Sequence, residues 1–286
     1  MQLRGYWGCS WLVAEAGLVD SVLKAQGMMK KRINIVRFDK GAQLAREDWV
    51  AKEFPLTIML NDQELATLLC SPKDLKYLAA GFLFSEGFIE TKGEIKRMTL
   101  NRQKGVIRIE TREDKKYIQE SFLKRTITTG CGRAIAFYNP ADIDGIKEVD
   151  SDVRLSPLDV FNLTKEFQRR SAVYRETGGV HSAALCDTEN IVIFEEDIGR
   201  HNAVDKIFGK CLLEDISTAD RIVITSGRIS SEILFKVAKR RIPVIISKSA
   251  PTDLGVIVAQ DLRITLIGFT RGKRMNVYAG EWRVQS

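Results

Sequence analysis

Few residues in this chain combine a reactive side chain with a telling position. The five cysteines, Cys9, Cys70, Cys131, Cys186 and Cys211, are odd in number and share no paired spacing. That disfavours a disulfide framework or an all-cysteine zinc site and points to a reducing compartment. Cys70, Cys186 and Cys211 lie in apolar runs, where cysteine behaves as a small hydrophobe, and Cys9 belongs to a weakly patterned N-terminal stretch. Cys131 differs, because it sits in Thr128-Thr129-Gly130-Cys131-Gly132-Arg133. The glycines open the backbone and Arg133 favours the thiolate, the two conditions for a sulfur nucleophile. His181 and His201 both follow glycine-containing turns. Either is a candidate base for Cys131, and either also suits a structural hydrogen-bonding role. The zinc deaminase signature fails, since Ala183 and Ala203 stand where H-x-E requires Glu and no C-x-x-C occurs. No protein-ligated metal is therefore expected. Glu195-Glu196-Asp197 offers oxygen ligands for a hard cation, but at the end of an expected hairpin it reads rather as a solvated run or a cap for the next helix.

The second chemistry-bearing set is cationic. The formal charge is +7, and residues 221–286 hold 12 Lys and Arg against 4 Asp and Glu, net +8, leaving the remainder at −1. Such asymmetry points to an anionic partner for the C-terminal region. Three segments there pair Gly or Ser with Arg or Lys: Thr225-Ser226-Gly227-Arg228, Ser247-Lys248-Ser249-Ala250 and Phe269-Thr270-Arg271-Gly272-Lys273-Arg274. Arginine forks, open backbone amides and helix N-termini all suit phosphates. Neither G-x-x-x-x-G-K-[ST] nor a strand-linked G-x-G-x-x-G is present, which removes support for an NTPase, kinase or dinucleotide oxidoreductase. Few aromatic residues interleave with the basic ones, which argues against a nucleic-acid partner.

These residues need elements to hold them. Apolar strands are expected at Arg221–Thr225, Ile242–Ser247 and Ile264–Phe269, helices at Ser230–Arg241 and Pro251–Leu262, and a last strand at Met275–Tyr278. The alternation predicts an α/β fold with a largely parallel sheet covered on both faces. Ligands bind at the carboxyl ends of strands in such sheets, and the three basic segments are those ends. Upstream, Ile33–Phe38, Leu56–Leu60 and Val106–Thr111 read as strands, with Asn61-Asp62 as a turn. Ser71-Pro72-Lys73-Asp74 and Ser156-Pro157-Leu158-Asp159 share one helix-start pattern, with Ser as N-cap, Pro at the first helical position and an acid at N3. Their helices should run to about Gly87 and Val173 respectively. Ser182–Cys186 and Ile191–Phe194 should form a hairpin around Asp187-Thr188-Glu189-Asn190, followed by a helix over His201–Leu213. The organisation expected is a peripheral extension over 1–32, a smaller α+β region over 33–150 ending in the Cys131 loop, and an α/β core over 151–286. No apolar run approaches the roughly 20 residues of a membrane span, and residues 7–19 lack the features of a signal peptide.

Several longer motifs carry a resemblance. Gly81-Phe82-Leu83-Phe84-Ser85-Glu86-Gly87, residues 177–185, residues 196–206, Ser226-Gly227-Arg228, residues 247–252 and residues 266–278 together resemble the formate dehydrogenase accessory sulfurtransferases, the FdhD family, in order over about residues 33–280. The resemblance implies a cytoplasmic dimer with a core similar to cytidine deaminase but without its zinc. It implies that Cys131 accepts persulfide sulfur from a cysteine desulfurase. The sulfur then passes to the bis(molybdopterin guanine dinucleotide) molybdenum cofactor needed by apo formate dehydrogenase. The family's acceptor loop often reads G-C-G-x-C, and here Ala134 replaces the second cysteine, so a disulfide between loop neighbours is not an obligatory step. The family's cofactor-binding stretch matches Phe269, Thr270, Arg271, Gly272, Lys273 and Arg274. Strand-end position adds Arg228 and Ser249 as assisting groups for the guanine nucleotide; His201, at the start of a helix, is a further candidate for orienting ligand or handling a proton, a choice the sequence does not decide. The rival reading is a chaperone that binds and delivers the cofactor without a persulfide.

Overall fold

The computed structural model describes residues 29–113 and 146–285. Cys9, the Gly130–Arg133 loop with Cys131, Ala134, and most of the expected N-terminal extension lie outside the described residues.

The core is a six-stranded sheet in the order β12-β11-β10-β9-β7-β8. It is built from β7 (His181–Cys186), β8 (Ile191–Asp197), β9 (Ile222–Thr225), β10 (Val244–Ser247), β11 (Thr265–Arg271) and β12 (Arg274–Ala279). Only β9–β10 and β10–β11 pair in parallel, while β7–β8, β7–β9 and β11–β12 are antiparallel. The expectation of a largely parallel sheet is corrected to a mixed one. The reason is connection length: the turns at Asp187–Asn190 and Gly272-Lys273 are too short for a crossover and can only close hairpins.

Alternation along each strand sorts side chains to two buried faces. Ala183, Leu185, Val223, Ile245 and Leu266 pack against Val204, Ile207, Phe208, Val237 and Val258 on one face. Ala184, Ile222, Ile224, Ile246 and Ile267 pack against Val160, Leu163 and Phe167 on the other. The sheet is thus covered on both faces, as the apolar runs require.

Ahead of it in the chain, a four-stranded sheet ordered β4-β3-β6-β5 is formed by β3 (Phe54–Leu60), β4 (Gln63–Cys70), β5 (Ile95–Asn101) and β6 (Val106–Thr111). Its own apolar core includes α1 (Leu75–Ser85). Asn61 and Asp62 both adopt left-handed φ of 48° and 64°, making the tight turn their types favour. A third sheet is the ribbon of β1 (Lys30–Asp39) and β2 (Ala42–Ala51), so the strand expected at Ile33 starts at Lys30, inside the stretch assigned to the extension. At the far boundary, Val149 is fully buried in the main core, and its N–H donates to the Leu262 carbonyl.

The two identical helix-start patterns diverge. Ser156 caps α2 (Pro157–Arg170): its Oγ accepts from Asp159 N (3.2 Å) while Asp159 accepts from Ser156 N (2.8 Å). The helix stops at Arg170, and a separate short α3 (Ala172–Thr177) follows the break at Ser171. Ser71 caps nothing. It is fully buried, donates its N–H to Asp197 (3.0 Å) and accepts from Ile198 N on its Oγ (3.2 Å), so α1 starts at Leu75 after a left-handed Asp74.

Helix α4 (Arg200–Leu213) joins the two units by crossing α1 where both helices carry glycine. A Cβ on Gly81 would fall 1.8 Å from the Asp205 carbonyl oxygen, and one on Gly209 1.8 Å from the Tyr77 carbonyl oxygen. The remaining helices are α5 (Ser231–Lys239) and α6 (Asp253–Asp261), which connect β9 to β10 and β10 to β11. Among the described residues no helix is long and apolar enough to cross a membrane.

Candidate functional site

The carboxyl ends of β9, β10 and β11 emerge on one sheet edge. Because β7 runs antiparallel to β9, with Ala183 opposite Thr225, the amino end of β7 lies on that same edge and brings His181 to it. A cavity of 520 Å³ opens there, with His181, Ser182, Ser226, Lys248, Ser249, Arg271 and Gly272 on the sheet side. The opposite wall is the elbow between α2 and α3, contributing Phe167, Gln168, Ser171, Tyr174 and Arg175.

Buried polar groups hold that elbow in place. Glu196 accepts from Val173 N (3.2 Å) and Tyr174 N (3.0 Å), satisfying the first amides of α3. Ser182 Oγ donates to Ser171 Oγ (3.0 Å), and Arg175 Nη1 donates to the Gln168 (2.8 Å) and Arg169 (2.6 Å) carbonyls at the end of α2. The Glu195-Glu196-Asp197 run is therefore buried rather than solvated. Asp197 does serve the next helix, accepting from Gly199 N and Asn202 Nδ2 (both 2.9 Å), and it also pairs with fully buried Lys206 at 2.7 Å. Burial pushes the Glu195 carboxyl up to about 7, against the opposing pull of Lys73.

Cationic groups dominate the cavity, and among the described residues no Asp or Glu lines it. Lys248 is held below the ordinary lysine range first by burial and then by the neighbouring charge of Arg271. Neither has a carboxylate partner among the described residues. Burial and then Arg200 lower His181 against the opposing pull of Asp197, and the net shift favours the neutral imidazole.

The expected site residues separate into three groups. Arg271, Gly272 and Ser249 line the cavity. Phe269 and Thr270 do not line it. Phe269 takes a left-handed φ of 52°, at an irregularity in β11–β12 pairing between Gly268 and Arg271, and its N–H donates to the Ser249 carbonyl (3.1 Å). Thr270 is fully buried. Arg228, Lys273 and Arg274 are exposed on the surrounding surface, outside the cavity lining. His201 is not at the cavity: it lies at the start of α4, 88% buried, with Nε2 3.3 Å from Glu232 Oε2. Burial, Lys236 and Arg200 hold it well below the usual histidine range.

Ser226 and Lys248 lie in strand-end segments the sequence marks as ligand-binding, though neither is named there as a binding residue; His181 is named only as a candidate base, and the α2–α3 elbow carries no sequence signal for the site. Lys248 carries the same strand-end signal as Arg271, so it was detectable; the elbow is brought in only by tertiary packing. The basic excess also overstates the rim. Lys236 pairs with buried Asp205 (2.6 Å), Arg240 stacks 3.5 Å over Phe84, and fully buried Arg283 binds the Arg263 and Val149 carbonyls. Cys70, Cys186 and Cys211 are buried, with thiols pushed up by desolvation to about 12, 12 and 11, which makes them poor nucleophiles. Among the described residues no cluster of three or more His, Cys, Asp or Glu side chains is arranged to hold a metal ion.

Comparison with known proteins gives a consistent result. The FdhD/NarQ family model matches residues 51–285. A protein of Bacillus licheniformis named sulfur carrier protein FdhD is 43% identical over 251 residues, covering 88% of this chain and 95% of that protein. Its namesake in Bacillus subtilis is 42% identical over 252 residues, covering 88% and 96%. A crystal structure described as a formate dehydrogenase accessory protein from Desulfotalea psychrophila superposes with a TM-score of 0.72 at 28% identity, covering 90% of this chain and all of that one. With a family model spanning most of its length and relatives above 40% identity, this chain belongs to the FdhD/NarQ family.

Proposed function

We propose that this protein is a sulfur carrier in the maturation of formate dehydrogenase, holding sulfur as a persulfide on Cys131 and passing it to the bis(molybdopterin guanine dinucleotide) cofactor as substrate. The names of its relatives support the sulfur-carrying half. The observation that carries the cofactor half is the cavity at the sheet edge, where Lys248 and Arg271 face one ligand space that no carboxylate lines among the described residues. Paired cations without acids suit the phosphates of a nucleotide. Lys273, Arg274 and Arg228 extend positive charge over the neighbouring surface, and Ser249 adds a polar contact. The same reading makes the protein a cytoplasmic homodimer with a core arranged like cytidine deaminase, served by a cysteine desulfurase.

The loading step balances without a redox partner. The Cys131 thiolate attacks the terminal sulfur of the desulfurase persulfide, a new S–S bond forms as the old one breaks, and the desulfurase cysteine leaves as a thiolate. Delivering that sulfur to the metal as sulfide takes two electrons from a thiol reductant and returns Cys131 as a thiol.

The test is intact-protein mass spectrometry after incubation with a cysteine desulfurase and cysteine, comparing wild type with Cys131→Ala. A reducible one-sulfur adduct on wild type alone supports the carrier reading. Equal loading on both proteins, or on neither, sinks it and leaves a cofactor chaperone.

A further inference from the structure

The junction between the N-terminal unit and the core holds one carboxyl too many. Asp197 of β8 takes the cation of fully buried Lys206 on α4 at 2.7 Å. That leaves Lys73 for two further acids: its Nζ lies 3.0 Å from Asp74 Oδ2 and 3.6 Å from Glu195 Oε2. Glu195 belongs to β8 of the core and is only 3% exposed, whereas Lys73 and Asp74 belong to the loop that leads into α1. Three carboxyls thus face two ammonium groups, and Glu195 Oε2 is buried without a hydrogen-bond partner among the described residues. A buried carboxylate that is neither fully paired nor hydrogen-bonded takes up a proton instead.

The surrounding groups fit that balance. Burial raises both carboxyls, Glu195 to about 7 against the pull of Lys73 and Lys206. Lys73 and the hydrogen bond from Glu195 outweigh burial at Asp74 and bring it below its ordinary value. One acid therefore holds the proton and the other accepts it. The other titratable groups near the cluster are Cys70 on β4, whose thiol stays protonated, and Tyr77 on α1, which is hydrogen-bonded to Glu214. Arg102 reaches the loop from the β5–β6 turn, but it donates to the Pro72 carbonyl (3.1 Å). Asp74 itself sits at a left-handed φ of 55°, which an L residue adopts at a cost, so contacts across the junction must hold the loop shut.

We propose that Glu195 and Asp74 share one proton across this junction, forming a clasp that is closed while the proton is bound and frees the loop at residues 71–74 when it is lost. Ionised Glu195 puts two carboxylates on the one ammonium of Lys73. Opening gives up the Ser71 N–H bond to Asp197 Oδ2 (3.0 Å) and the Ile198 N–H bond to Ser71 Oγ (3.2 Å). Asp197 Oδ1 keeps Gly199 N and Asn202 Nδ2, so α4 stays capped and the change is confined to the loop. This device is independent of the sulfur-carrier reading.

The test is hydrogen exchange of the full chain, read by mass spectrometry on peptides covering residues 70–78 and 195–199 and corrected for the intrinsic pH dependence of exchange. One proton bound with a pKa of about 7 when closed and 4.5 when open makes opening about tenfold more frequent at about pH 8 than at about pH 6. Glu195→Gln keeps a neutral donor, and Asp74→Asn leaves Lys73 to Glu195 alone, so both variants should show no such rise. In parallel, the infrared carbonyl stretch of a protonated carboxyl should disappear between those pH values in wild type and be absent throughout in Glu195→Gln. A wild type whose corrected exchange is flat with pH overturns the clasp, as does a Glu195→Gln protein with the wild-type dependence. If Asp74→Asn retains the full rise, the proton is not shared with Asp74 and the proposal fails.

Discussion

Replacing Gly209 with alanine sets local propensity against packing, and the two predict opposite signs. Gly209 lies inside α4, where alanine is favoured over glycine by about 1 kcal/mol. Its missing Cβ, however, is where α1 makes its closest approach. An added methyl would sit 1.8 Å from the Tyr77 carbonyl oxygen and 2.7 Å from Gly81 N, whereas ordinary contact begins at 3.4 Å. The helices would have to part by about 1.6 Å, across an interface whose interior is packed at crystal-like density. The obstacle is backbone, which cannot rotate away, so the penalty belongs at or above the upper end of the usual overpacking range, about 3 kcal/mol. Subtracting the propensity gain leaves a net loss of about 2 kcal/mol, or roughly 4–8 °C in melting temperature for a chain of this size. Gly93→Ala is the control, since its Cβ would meet nothing closer than Thr91 Oγ1 at 3.8 Å. Denaturant unfolding of the three proteins, with calorimetry for the melting temperatures, measures the difference. A Gly209→Ala protein as stable as wild type, or more so, would refute the close helix crossing and with it the way the N-terminal unit is fastened to the core.

Two further outcomes are expected. Lys206→Met leaves the fully buried Asp197 carboxylate without its cation and the Glu196 carbonyl without a donor, so denaturant unfolding should show a loss of about 3–5 kcal/mol. Glu195 has a folded pKa of about 7 against an ordinary value of 4.5, so the folded state binds more protons than the unfolded state between those limits. Its contribution to stability is therefore present at low pH and lost as pH rises from about 4.5 to about 7. Unfolding free energies measured across that window should fall more steeply for wild type than for Glu195→Gln, and parallel curves would show that the carboxyl titrates normally.

Periodicity and local hydrogen bonding made much of the architecture legible. The Asp187–Asn190 hairpin, the helix at Arg200–Leu213 and the strand–helix alternation of the last third were each readable from a few adjacent residues. The repeated Ser-Pro-x-Asp pattern shows where that ended. Ser156 caps its helix because, among the described residues, nothing remote competes for it. Ser71 is captured by Asp197, 126 residues away, and its helix begins four residues later. Composition misled for the same reason: Lys236, Arg240 and Arg283 count toward the basic excess but spend their charge inside the protein.

By itself, then, the sequence determined the element types of the last third, the exceptional setting of Cys131 and the basic character of three strand ends, because each depends on neighbours in the chain. Tertiary structure decided which residues share the cavity. Antiparallel pairing of β7 with β9 carries His181 to the edge where β10 and β11 deliver Lys248 and Arg271, while the same folding seals His201 beside Glu232. Strand order and burial are set by contacts between distant segments, which no local pattern encodes.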